Sequence, residues 1–104
     1  MAAEAHCTVI LRMEIFPGKT AEFERTWLAI GESIAGEPAN RGQSLVRSLE
    51  EEGVYYVVTD WSSEAEFRAF ETSERHVQNR RRLQPYRRAG DMAVTEPVHR
   101  LPPA

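Results

Sequence analysis

The 104-residue sequence contains a single cysteine, Cys7, and this scarcity excludes several kinds of site. One cysteine cannot form an internal disulfide or a multi-cysteine metal site, and it fits the reducing cytoplasm in which we expect the protein to act. The three histidines stand far apart, at positions 6, 76 and 99. Because no histidine and carboxylate cluster has helical ligand spacing, we expect no bound metal.

The sequence also lacks the short motifs of the common enzyme classes. It has no glycine-rich phosphate loop, no G-x-S-x-G and no H-E-x-x-H. These absences argue against an ordinary kinase, hydrolase or metalloenzyme.

No apolar run is long enough to cross a membrane. The start, MAAEAHCTVILRMEIF, has no basic residue ahead of its apolar residues, and Arg12 and Glu14 interrupt them. This stretch is predicted as a strand rather than as a signal peptide or a membrane span. We therefore expect no membrane partner.

Basic residues do not outnumber acidic ones. The formal net charge of −3 gives no overall attraction to nucleic acid, which is not an expected partner. Arginines nevertheless cluster along the predicted second helix: Arg75, Arg80, Arg81, Arg82, Arg87 and Arg88. We interpret them as a solvated face with ion pairs to glutamate-rich segments, and contact with an anionic partner remains the alternative.

The length and the content of 41% apolar and 28% charged residues predict one globular domain over residues 1–104. Alternating apolar residues predict strands, and apolar residues three and four apart predict helices. The strands are expected at 7–15, 43–51, 54–61 and 91–101. The helices are expected at 19–35 and from Ser62 or Ser63 to Pro85, with a break near Thr72 and Ser73.

This order, β-α-β-β-α-β, predicts an α+β, ferredoxin-like fold in which a four-stranded antiparallel sheet carries both helices on one face. The other face of the sheet is left uncovered. Depending on register, it exposes Ile10, Val54, Tyr56, Val58 and Val94. We therefore expect a homodimer formed sheet against sheet.

The best candidate site residues lie at the end of the third strand and on the second helix. Trp61 either packs in the core or forms the wall of a pocket, and Trp27, Phe67 and Phe70 have the spacing of core residues that can also line a flat pocket. His76 is either a structural histidine or a general base, because its ordinary pKa is near neutral. At helical spacing it shares a face with Asn79, Arg80 and Leu83.

These residues also resemble a known family. The segment WSSEAEFRAFETSERH after the strand YYVVTD, with PGK before the first helix, is similar to the antibiotic biosynthesis monooxygenase (ABM) family of dimeric α+β barrels. The resemblance extends over about residues 7–100. It is closer still to the small monooxygenases of aromatic polyketide and spore-pigment gene clusters.

The resemblance implies oxidation of a polycyclic aromatic polyketide, anthrone or phenol to quinone, with O2 as co-substrate and no flavin, haem or metal. It implies a homodimer and a small-molecule substrate. The residues it assigns to catalysis are His76, Trp61 and Arg81. Those it assigns to substrate binding are Trp27, Phe67, Phe70, Asn79, Arg80 and Arg47.

The sequence bears on two other functions. Haem degradation is disfavoured because no asparagine lies near Leu11 on the first strand, and Arg80 stands four residues beyond His76. A non-catalytic dimer that binds an aromatic ligand or stabilises a biosynthetic complex remains the alternative to an enzyme.

Overall fold

The structure, a computed structural model, describes residues 6–103 of the chain. Its elements follow the predicted order, with the second helix divided into two parts and a short 3-10 helix after it. They are β1 (Cys7–Ile15), α1 (Thr20–Ile34), β2 (Asn40–Arg47), β3 (Val54–Trp61), α2 (Glu64–Glu71), α3 (Glu74–Leu83), the 3-10 helix (Gln84–Tyr86) and β4 (Arg87–Thr95). The α+β, ferredoxin-like architecture is therefore confirmed.

The four strands form an antiparallel sheet in the order β2-β3-β1-β4. Because side chains alternate between faces, one set of β1 residues meets the helices and the other set points away from them. Val9 and Met13 are buried against the helices, at 4% and 3% exposure, whereas Ile10 is 37% exposed on the outer face. The alternation read in the sequence thus gives the correct two faces of β1.

Serine side chains define both parts of the second helix. Ser63 Oγ accepts a hydrogen bond from the backbone N–H of Glu66, at 3.1 Å, and this cap begins α2 directly after Trp61. Ser73 has an extended backbone, with ψ of 147°, and its Oγ accepts from the N–H of His76 at 3.3 Å. The predicted break at Ser73 therefore both ends α2 and starts α3, which fixes where His76 lies.

The core between helices and sheet contains the apolar stripe predicted for α1. Phe23, Ile30 and Ile34 are buried, and the Phe23 ring packs against Tyr55 with centroids 4.9 Å apart. Trp27 is only partly buried. This difference along one stripe indicates that the core is not filled beside Trp27.

Two strands, β2 and β4, differ from the prediction at both ends, and β2 begins at Asn40 rather than at residue 43. β2 ends at Arg47 because Ser48 Oγ accepts hydrogen bonds from the N–H groups of Glu50 and Glu51, at 3.1 and 3.0 Å, and starts the turn. β4 spans Arg87–Thr95 and not 91–101, because its partner β1 pairs from Ile15 with Arg87 to Thr8 with Thr95. The expectation that Pro97 lies within the last strand was wrong.

The arginine cluster is also corrected. Arg87 and Arg88 belong to β4 rather than to a helix. Within residues 6–103, none of the arginines of α3 forms a salt bridge, so the expected ion pairs are absent there. Arg75 instead donates to the carbonyl of Ser33 at 2.9 Å. The other arginines, Arg80, Arg81 and Arg82, lie in the last turn of α3, where the helix dipole favours cations.

The outer face of the sheet carries part of the expected apolar surface. Ile10 is cross-strand partner to Val58, and both lie on this face with Tyr56. Val94 was wrongly expected there: it pairs with Val9, so its side chain faces the helices. Val54 was also wrongly expected to be exposed: it is 4% exposed, at the end of β3 where its backbone bonds to Ser48 and Glu51 of the β2–β3 turn.

None of the helices within residues 6–103 combines the length and apolar character that a bilayer span requires.

Candidate active site

A cavity of about 320 Å³ lies between the sheet and the helices, beside the partly buried Trp27. Its volume is at the lower end of the range, roughly 300 to 1,000 Å³, typical of small-molecule sites. The sheet contributes an apolar floor and α1 contributes a second apolar wall. These lining residues are Val9, Leu11, Met13 and Val57 on the sheet, and Trp27, Ile30 and Ile34 on α1.

A row of aromatic rings forms a further wall of the cavity. Trp61 closes β3 and is 2% exposed, and its ring lies 5.5 Å from Phe67 and 4.8 Å from Phe70, centroid to centroid. Phe70 in turn packs against the imidazole of His76, with centroids 4.4 Å apart. Trp61 and His76 are thus joined through Phe70, which gives the cavity a continuous surface of π-systems.

The indole N–H of Trp61 is used inside the protein. Its Nε1 donates to the Thr59 hydroxyl oxygen at 2.8 Å. Because an indole has only this one donor, Trp61 presents an apolar ring face to the cavity and no free hydrogen-bonding group.

His76 is the titratable group whose pKa is most affected by the cavity. The pKa of its imidazole is lowered to about 4, mainly by burial and also by the Arg80 cation, while the Glu71 carboxylate acts in the opposite direction. The ring is therefore neutral at physiological pH. Its Nδ1 is buried and has no hydrogen-bond partner among the described residues. The His76 side chain lines the cavity, and a neutral imidazole in a cavity wall can exchange a proton with a bound ligand.

Asn79 lies one helical turn beyond His76 and lines the same cavity. It is 7% exposed, and its Nδ2 has no partner among the described residues. An unsatisfied buried amide of this kind costs about 1 to 3 kcal/mol. A ligand oxygen placed beside Nδ2 would remove that cost.

The structure brings most of the predicted site residues to this cavity. Those that line it are Trp27, Trp61, Phe67, Phe70, His76, Asn79 and Arg80. Arg81 does not, because five residues at about 100° each turn it away from the face of α3 that carries His76. It is exposed on the outside of the helix.

Arg47 also lies outside the cavity. Its cross-strand partner is Tyr55, at the end of the sheet remote from Trp61, and there it pairs with Glu24 at 3.5 Å. Glu24 also accepts a hydrogen bond from the Tyr55 hydroxyl. The pKa of Tyr55 is raised mainly by burial, and this hydrogen bond raises it further. Arg47 therefore takes part in a separate polar cluster.

Sequence reasoning missed five polar or charged residues that line the cavity: Gln43, Thr59, Glu71, Arg87 and Asp91. Gln43 Nε2 donates to the backbone carbonyl of Gly31 at 2.7 Å and thereby ties β2 to α1. A signal for Thr59 was present, since it stands two residues before Trp61 and so shares its face of β3.

In the part of the chain that the structure describes, no three histidine, cysteine, aspartate or glutamate side chains are grouped as metal ligands.

Comparison with known proteins gives both sequence and structural relatives. The family model for antibiotic biosynthesis monooxygenases matches residues 7–82. Protein SchA of Streptomyces halstedii is 31% identical over 78 residues, which make up 75% of this chain and 20% of SchA. The chain thus spans about one fifth of the length of this relative.

Solved structures share the fold at low sequence identity. SnoaB from Streptomyces nogalater, described as a cofactor-independent oxygenase, is 18% identical, with a TM-score of 0.83 over 96% of this chain and 100% of SnoaB. A Caulobacter crescentus protein assigned to the same family is 24% identical, with a TM-score of 0.83 over 94% of both chains. The fold, the W-S-S-E-A-E-F segment at the cavity and the match over residues 7–82 agree, and the chain belongs to the antibiotic biosynthesis monooxygenase family.

Proposed function

We propose that the protein is a cofactor-independent monooxygenase that oxidises a polycyclic aromatic polyketide, anthrone or phenol to quinone, with O2. The observation that carries this proposal is the neutral imidazole of His76, which packs on Phe70 and lines an aromatic cavity. Membership of a family that includes a cofactor-independent oxygenase supports it.

The reaction needs no electron carrier because the substrate itself supplies the electrons. An anthrone methylene loses two hydrogens and gains one oxygen atom as a carbonyl, which is a four-electron oxidation. O2 accepts the four electrons, and its second oxygen atom leaves as water with the two hydrogens. The protein must therefore remove a proton, stabilise the resulting anion and exclude competing water.

His76 is the proposed base. Its low pKa keeps the imidazole neutral and able to accept a proton at any pH well above about 4. Taken alone, that pKa describes a weak base. Proton transfer, however, creates a substrate anion beside the new imidazolium, and this opposite charge raises the pKa of His76 in the complex.

Asn79 and Arg80 are proposed to stabilise the anion. Both lie on α3 beside the base, where the Nδ2 donor of Asn79 is buried and Arg80 lines the cavity. Charge-assisted hydrogen bonds to an oxyanion are stronger in a dry site than in water. Trp27, Trp61, Phe67 and Phe70 are the proposed walls for the planar rings.

We also propose that the protein is a homodimer formed through the outer face of the sheet. On this face Ile10 and Val46 are 37% and 46% exposed, and part-buried Tyr56 and Val58 lie between them. An exposed apolar sheet face of this kind is typical of an interaction surface.

Ligand binding without catalysis is the second candidate function. The observation that favours it is the pKa of about 4 at His76, since such an imidazole is a weak base until a counter-charge arrives. A bound ligand would also supply a hydrogen-bond partner for Asn79 Nδ2 without any catalysis. Only turnover separates the two functions.

Incubation of metal-free protein with an anthrone in air and under nitrogen tests the proposal. We expect quinone formation faster than the uncatalysed reaction in air and none under nitrogen. Tight binding of the anthrone with no acceleration in air would contradict the enzyme and favour the binding protein.

A further inference from the structure

The cavity has a second polar region, opposite α3, that the proposed reaction does not use. Gln43 and Thr59 are cross-strand partners on β2 and β3, and both line the cavity. Directly paired residues on a sheet point to the same face, with Cβ atoms about 5 Å apart. Their polar groups therefore lie close enough to contact one substituent of a bound ligand.

The hydrogen bond from Trp61 fixes what Thr59 can do. The Thr59 oxygen accepts from Trp61 Nε1 at 2.8 Å, so that lone pair is occupied. A threonine hydroxyl also carries one proton, and among the described residues no acceptor takes it. Thr59 therefore offers a hydrogen-bond donor to the cavity and also holds the plane of the Trp61 ring.

The hydrogen bond to Gly31 fixes what Gln43 can do. A backbone carbonyl only accepts, so the amide group of Gln43 must turn its nitrogen toward Gly31 O, 2.7 Å away. A Cβ on residue 31 would lie 3.3 Å from this nitrogen, so glycine allows the close approach. The Oε1 of Gln43 then points away from Gly31, and it has no protein donor among the described residues. Gln43 offers an acceptor.

We infer that Thr59 and Gln43 bind a neutral hydroxyl group of the aromatic substrate. A hydroxyl is both donor and acceptor, and it matches the Thr59 proton and Gln43 Oε1 at once. An anionic oxygen fits this region poorly, because it would face Oε1, whereas α3 presents Asn79 Nδ2 and Arg80. This inference rests on the proposed function and adds an orientation to it: the reacting oxygen lies at α3, and a second, uncharged hydroxyl lies on the sheet side.

Binding of two matched quinones tests the inference without turnover. The probes are a three-ring quinone with one hydroxyl on an outer ring and the same quinone without it, and the readout is quenching of tryptophan fluorescence. We expect wild-type protein to bind the hydroxylated quinone about tenfold more tightly, as expected for loss of one to two hydrogen bonds. Equal affinity for the two quinones would contradict the inference.

Variants show which residues cause the preference for the hydroxylated quinone. We expect Thr59→Val and Gln43→Met to reduce it severalfold, and Thr59→Ser, which keeps the hydroxyl, to retain it. If the two residues had only a structural role, their loss would weaken the binding of both quinones equally. An unchanged ratio of the two affinities in both Thr59→Val and Gln43→Met would therefore overturn the inference.

The outcomes also separate this inference from the proposed function. A protein that selects the hydroxylated quinone but does not accelerate anthrone oxidation supports the inference and contradicts the enzyme. A protein that oxidises anthrones but binds the two quinones equally supports the enzyme and contradicts the inference. Failure of wild-type protein to bind either quinone contradicts the inference, whereas the proposed function is contradicted only by the absence of accelerated anthrone oxidation.

Discussion

The imidazole of His76 lies against the ring of Phe70, with centroids 4.4 Å apart and an interplanar angle of 42°. This contact joins the one strongly shifted histidine of the described residues to the aromatic row that begins at Trp61. It also explains the shift, because an imidazole packed on an apolar ring loses the water that would solvate its cation.

The burial of His76 makes the folded protein less stable in mild acid. The pKa of the imidazole is about 4 in the folded protein against 6.5 for a free histidine, so the unfolded chain binds the proton first. The free energy of unfolding therefore falls as the pH falls from 6.5 to about 4, by at most about 1.4 kcal/mol per pH unit for this group. Urea unfolding across this range, with His76→Gln as the control, measures the effect. Identical pH slopes for the two proteins would contradict it.

The pH dependence of kcat/KM should also report the lowered pKa of His76. If His76 is the base, kcat/KM for anthrone oxidation stays high down to the pKa of the free enzyme, about 4, and falls below it. Stopped-flow rates in buffers of constant ionic strength measure this fall of kcat/KM at low pH. A fall centred on the ordinary histidine value of 6.5 would mean that another group, or a differently placed His76, is the base.

Asn79 should contribute to binding at the expense of stability. Asn79→Leu keeps a similar volume and removes the unsatisfied Nδ2, so we expect the free energy of unfolding to rise by about 1 kcal/mol. The same change should weaken the binding of a quinone probe about tenfold, because a ligand oxygen loses its donor. Thermal unfolding and fluorescence titration give the two numbers. A loss of stability with unchanged binding would make Asn79 a structural residue.

Arg80 and Arg81 form a matched pair of variants. Both are arginines in the last turn of α3, but only Arg80 lines the cavity. We expect Arg80→Gln to lower kcat/KM severalfold and to raise the pKa of His76, since it removes a neighbouring cation. Arg81→Gln should leave both unchanged. Equal effects of the two substitutions would indicate a general charge effect of the helix.

The outer face of the sheet offers a similar comparison. Ile10→Glu places a charge at the proposed dimer interface, and Leu28→Glu places one on α1, where Leu28 is 55% exposed. We expect wild-type protein and Leu28→Glu to sediment as dimers at micromolar concentration and Ile10→Glu to be largely monomeric. A monomeric wild type would contradict the interface.

Local patterns were sufficient for the fold and for part of the site. Alternation predicted β1, the serines predicted the start of α2 and the break before α3, and helical spacing placed His76, Asn79 and Leu83 on one face. Each of these depends on residues within one or two turns. The family resemblance, carried by the W-S-S-E-A-E-F segment, was confirmed by the match over residues 7–82.

The remaining features depend on long-range pairing. The limits of β4 follow from its register with β1, and the same kind of register places Arg47 beside Tyr55 and Thr59 beside Gln43. The choice between Arg80 and Arg81 depends on how α3 is rotated against the sheet. A single sequence contains no direct measure of either quantity.

Oxidation of an anthrone in oxygen-18 gas, with metal-free protein and with His76→Gln, tests the central claim most directly. We predict one labelled oxygen atom in each quinone formed, one O2 consumed for each quinone, and a rate that falls about a hundredfold or more in His76→Gln. Quinone without the label, or an unchanged rate in a folded His76→Gln variant, would contradict a cofactor-independent monooxygenase with His76 as its base.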